Sequence, residues 1–142
     1  MSKEQKRIEY LETFKKKFMG KEETPGDARG AESKRKFQAM VEKLNQEGKL
    51  PWFRNLAKLS LSESLTEHVD FRMRVVEESE EGCMEFFILF MIKSSLAGAE
   101  YFRKRHPDPK IRIVVMNARM NSDWLLSMLR NAYREEVAQR KR

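Results

Sequence analysis

The sequence predicts an α+β domain: a small antiparallel or mixed sheet of three or four strands covered by helices, with an amino-terminal helical arm. Three observations predict it. Apolar residues recur at helical spacing at Phe37, Met40, Val41 and Leu44, and again at Leu125, Met128, Leu129 and Ala132. Residues 69–75 alternate, with Val69, Phe71, Met73 and Val75 on one side and Asp70, Arg72 and Arg74 on the other, the pattern of a half-buried strand. Residues 83–93, CMEFFILFMIK, are apolar at nearly every position, which suits a strand inside the sheet with cover on both faces.

The elements follow in order. Residues 3–19 carry Ile8, Leu11, Phe14 and Phe18 on one helical face, and Gly20 ends that helix. Residues 20–30, GKEETPGDARG, read as a loop or hinge. The chain therefore divides into an arm with its linker, 1–30, and a single α+β domain, 31–142. A second helix spans 31–47 and stops at Gly48. Pro51, Trp52 and Phe53 form a packed corner, and residues 56–65 suit either a short strand or a helical turn. Strands over 68–77 and 83–93 join through the polar turn Glu77–Gly82 as an antiparallel hairpin. A short helix over 95–105 is capped by Ser94 or Ser95 and turns Leu96, Ala99 and Phe102 inward. His106, Pro107, Asp108 and Pro109 break the chain. A strand over 111–116 puts Ile111, Ile113 and Val115 on one face, and the preceding helix permits a parallel crossover. Asn121 or Ser122 caps the last helix, which also buries Val137.

Composition excludes several classes. One cysteine among 142 residues, Cys83, makes no internal disulfide, and His68, His106 and Cys83 show no metal-ligand spacing. No cofactor and no metal are expected. The longest apolar run, Phe86 to Ile92, is far shorter than the ~20 residues that span a bilayer. The first residues show no secretory pattern. A cytoplasmic or nuclear protein without membrane attachment is the expectation. The six glycines never form a phosphate-cradling loop, and no nucleophile elbow occurs.

One catalytic pattern bears weighing. The order helix, three-strand meander, helix, strand is similar in part to that of the restriction-endonuclease-like nucleases. That resemblance implies an acidic residue on one strand and a (D/E)-x-K on the next, holding Mg²⁺ and orienting water. Asp70, Glu85 and Lys93 are the candidates. The sequence departs from the pattern: Met91 stands two before Lys93, and Glu85 lies about 26 Å away along an extended strand. A non-enzymatic protein is therefore expected.

Charge is the stronger signal. The chain carries 29 Lys/Arg against 22 Asp/Glu, a net charge of +7. Residues 66–93 hold three cations against seven carboxylates, whereas residues 94–142 hold eleven against five. An acidic middle thus sits between basic ends. Four clusters stand out: Lys15, Lys16 and Lys17; Lys34, Arg35 and Lys36; Arg103, Lys104 and Arg105; Arg140, Lys141 and Arg142. Arg72, Arg74 and Arg112 lie on strands, and a shared sheet face would make them a positive platform. Such groups bind backbone phosphates without reading sequence. The bland reading is that helix-end cations complement dipoles and aid solubility. Trp52, Phe53, Phe86, Phe87, Phe90, Tyr101 and Phe102 are expected mainly in the core rather than as stacking rings. The acidic turn repels polyanions from the hairpin tip.

Two functions are carried forward. The first is a nucleic-acid-binding accessory protein, RNA favoured over DNA, using these cations. The second is a small protein-interaction or regulatory module, an adaptor or inhibitor of viral or phage type. A homo-oligomer formed through the amino-terminal helix is compatible with both.

Overall fold

The computed structural model describes residues 25–141, so the arm helix expected over 3–19 lies outside the described residues. Helix α1 spans Pro25–Gln46. It starts inside the stretch expected to be a loop, because proline is tolerated in the first turn of a helix, where its missing N–H has no partner to lose. Its stripe is confirmed: Phe37, Val41 and Leu44 are buried. Gly48, at φ 74°, closes it with the Lys49 N–H donating to the Leu44 carbonyl at 3.0 Å.

The corner at Pro51 and Trp52 leads into a strand that the sequence did not declare, β1 at Phe53–Lys58. Its pattern is weak because it is an edge strand with a register shift between Phe53 and Asn55. The ambiguous stretch 56–65 divides: its first residues close β1, and the rest enters the short helix α2, Leu61–Glu67. Ser60 and Glu63 form a reciprocal capping box there. Strands β2, Phe71–Ser79, and β3, Gly82–Lys93, form the expected hairpin. Helix α3, Leu96–Arg105, is capped by Ser95. Strand β4, Ile111–Val115, returns parallel to β3. Helix α4, Ser122–Arg140, is capped by Asn121.

The sheet order is β1-β2-β3-β4, antiparallel except for the last pair. The fold is thus an open, four-stranded mixed sheet with helices. One face is closed. Phe71, Met73 and Val75 of β2 and Phe86, Ile88, Phe90 and Ile92 of β3 pack under α1 and α4. Phe37 lies 5.2 Å from Phe71 and 5.4 Å from Phe90 between ring centres, and Trp52 stacks on Tyr133 of α4 at 4.5 Å. Each such buried side chain contributes about 1.5–3 kcal/mol of transfer free energy.

The second face is only partly covered. Phe102 of α3 packs on Leu59, Val69, Met91 and Ile111. Val69 therefore packs here and not with Phe71: it precedes β2, which starts at Phe71, so the strand alternation does not extend to it. Asp70 is likewise buried, at 4% exposure. Leu96, expected inside, is exposed at the start of α3. The cover expected on both faces of β3 fails at Phe87, which is 47% exposed.

Candidate nucleic-acid interface

The open part of the second face is built from rows across the sheet. Ala57 of β1, Arg72 of β2, Leu89 of β3 and Ile111 of β4 form one row. Asn55, Arg74 and Phe87 form the next. The period of two along each strand puts both arginines and Phe87 on this face. The Arg72 guanidinium stands 5.7 Å from the Phe87 ring centre, and Arg74 lies directly across from Phe87 in register. Ala57 and Asn55 are short, so the arginines are not walled in from the β1 side.

Each arginine is held by one carboxylate. Arg72 pairs with Glu67 at 2.9 Å and Arg74 with Glu85 at 2.5 Å. The hydrogen bond that Arg74 donates to Glu85, with the carboxylate's charge, raises the guanidinium pKa above its ordinary value. All four side chains are exposed by a third to a half, so these pairs are solvated and exchange readily for another anion. Arg103 closes α3 beside this face, donating to the Ile111 carbonyl at 2.6 Å and the Asp108 carbonyl at 2.6 Å. Lys104 and Arg105 next to it are exposed, and Arg105 lies over the Tyr101 ring at 4.6 Å.

Other expected cations do not join this face. Arg112 is on the opposite side of the sheet, because it stands one residue out of phase with Ile111 and Ile113. There it binds Glu135 at 2.8 Å and Glu136 at 3.2 Å on α4. The three strand arginines thus do not make one platform. Arg140 pairs with the same Glu136 and lies over Phe86, and Lys141 reaches Glu77 at 3.8 Å. Glu136, at 7% exposure, is a buried carboxylate that the helical pattern could not announce; two arginines share it. On α1, Lys34 pairs with Asp70, Lys36 donates to the Asn117 carbonyl at 2.6 Å, and Arg35 is exposed. Lys15, Lys16, Lys17 and Arg142 lie outside the described residues.

Comparison with known protein families, curated proteins and solved structures finds no match to this chain.

The residues weighed for metal-dependent cleavage separate. Glu85 is engaged by Arg74 on the open face, opposite Val76 near the hairpin tip. Asp70 sits just before β2, where its carboxylate accepts from the Ile92 N–H at 2.9 Å and the Ser64 hydroxyl at 3.1 Å, with Lys34 at 3.2 Å. Lys93 is close to it. Burial pushes the Lys93 ammonium below the usual lysine range; the Asp70 charge pulls it partly back, and Lys34 adds to the depression. Among the described residues no group of three His, Cys, Asp or Glu side chains is placed to hold a metal ion. The two histidines do meet, stacked at 3.8 Å between ring centres, with His106 also 4.8 Å from Phe102. Their separation in sequence hid this contact.

Tyr101, expected in the core, is 60% exposed, and Phe87 is likewise placed wrongly by the sequence pattern. Within an all-apolar run it has no local mark that distinguishes it from Phe86 and Phe90. The available signal was its phase: it faces the same way as Glu85.

Proposed function

We propose that this protein binds single-stranded nucleic acid, RNA favoured, on the uncovered part of its sheet, without catalysing a reaction. Phe87 is the stacking ring for a base. Arg72 and Arg74 take backbone phosphates, and Lys104 and Arg105 extend the positive border. The observation that carries the reading is a large exposed aromatic flanked by two solvated arginines on an open sheet face. Base stacking on an aromatic side chain contributes about 1–3 kcal/mol per base. The residues have no readout of base identity, so binding is sequence-tolerant. Unpaired bases are most often offered by RNA loops and ends, and a cytoplasmic or nuclear location accords with that. Among the described residues no helix is long and apolar enough to cross a membrane.

The test is fluorescence anisotropy of the full chain with a labelled uridine-rich 12-mer RNA and with a duplex of equal length, over a salt series. The single strand binds more tightly. Phe87→Ala weakens it about tenfold, from the lost stacking. Arg72→Gln reduces the salt slope by about one, the loss of one phosphate contact. Equal binding of duplex and single strand, or an unchanged affinity in Phe87→Ala, defeats the reading.

A further inference from the structure

We propose that the free edge of β4 captures an extended acidic peptide strand of a protein partner. The inference concerns a second surface and does not rest on the nucleic-acid reading. Among the described residues, strand β4 has β3 on one side and no strand on the other. The Met116 N–H donates to the Lys93 carbonyl at 2.8 Å, which fixes the phase of the parallel ladder. Backbone groups alternate in such a ladder, so Arg112, Val114 and Met116 face β3 while Ile111, Ile113 and Val115 face outward. The outward groups of Ile111 are taken: its N–H meets the Asp108 carbonyl at 3.2 Å, and its carbonyl accepts from Arg103. Among the described residues no outward partner takes the backbone N–H or carbonyl of Ile113 or Val115.

The opposite edge is guarded and this one is not. β1 has an irregular register at Arg54 and ends in an exposed lysine, both of which discourage pairing. β4 runs in unbroken register, with no proline or lysine within it. A groove of about 460 Å³ follows the β4 edge, floored by Ile113 and walled by Trp124 and Met128 of α4; Arg103 and Arg112 also line it, with Glu135 paired to Arg112. Trp124 is 37% exposed there. An added strand would direct alternate side chains toward the α4 wall and toward Ile113, which sets the spacing of its apolar positions.

Charge selects the occupant. A smaller depression of about 260 Å³ adjoins the groove across Ser127 and Asn131, and Arg130 and Arg134 line it together with the single carboxylate Asp123. Both are exposed, and no ion pair engages them among the described residues. A second copy would bring a like charge of +7 and the same two arginines. A strand whose positions toward Ile113 are apolar and whose positions toward α4 are acidic meets Ile113 on one side and Arg130 and Arg134 on the other.

The test uses the full chain, an acetylated hexapeptide of alternating valine and glutamate, its valine–lysine counterpart, and an N-methylated form that cannot pair. Amide exchange is followed by NMR. The glutamate peptide slows exchange at Ile113 and Val115 and leaves Ala57 on the other edge unchanged. Arg130→Glu with Arg134→Glu weakens that protection about tenfold or more, as charge reversal at a complementary rim does. The N-methylated peptide gives none. The proposal is overturned by unchanged exchange at millimolar peptide or by equal protection from the lysine peptide. Protection already present without peptide also overturns it: in a sedimenting dimer a second copy holds the edge, and in a monomer the amino-terminal residues of this chain do.

Discussion

The two faces of the sheet receive side chains from the same strands, yet they meet different fates. On β3, Phe86, Ile88, Phe90 and Ile92 are all buried, whereas the alternate positions run from exposed Cys83, Glu85 and Phe87 to buried Met91. Hydrophobicity does not explain the gradient, because Phe87 is as apolar as Phe86. Length does. β3 has 12 residues and extends about 40 Å, while α3 has 10 and extends about 15 Å. α3 covers the Met91 end and leaves Phe87 open. The closed face has α1, 22 residues, and α4, 19 residues, each about 30 Å long. A face is a core only where a helix is long enough to reach.

Substitutions on the two faces test this contrast. Phe90→Ala, on the closed face, destabilises by about 3–5 kcal/mol through lost transfer energy and a residual cavity, measured by urea unfolding. Asp70→Ala removes the carboxylate that ties α2, β3 and Lys34 together and leaves the Ile92 N–H unpaired; it costs about 1–3 kcal/mol in the same assay. Ser60→Ala breaks the capping box of α2 and costs about 1 kcal/mol. Phe87→Ala changes stability by less than about 0.5 kcal/mol, because an exposed site leaves no cavity. If Phe87→Ala destabilises as much as Phe90→Ala, the open face is closed in solution and the contrast fails.

The smallest effect is a pH dependence at the covered end of the second face. The folded state depresses the Lys93 pKa, so above that value the folded protein binds fewer protons than the unfolded chain. Stability then rises with pH from the depressed pKa up to the ordinary lysine value of about 10.4. Lys93→Met removes this rise, and melting temperatures of both proteins between pH 8 and 10 compare the slopes. Parallel slopes place Lys93 in water rather than over Phe102, where its ammonium lies 5.1 Å from the ring centre.

Much of the fold was legible. The hairpin, the crossover helix, the parallel last strand and the apolar stripes of α1 and α4 follow from local periodicity. β1 escaped because Phe53–Lys58 has only two partly buried positions and a bulge, too little alternation to read. The candidate site was half legible. The phase of Arg72 and Arg74 followed from the strand pattern, but their carboxylate partners did not. Glu67 is five residues from Arg72, and Glu85 eleven from Arg74 across the hairpin.

By itself the sequence determined most of the helices and strands, the α+β class and the abundance of cations, because each depends on neighbours a few residues apart. Only the tertiary structure decided that Phe87 faces out, that Arg112 turns to α4, and that most strand and helix-end cations are already engaged. Those outcomes depend on how far a helix reaches across a sheet and on which distant carboxylate arrives beside a guanidinium, and neither is encoded in the spacing of adjacent residues.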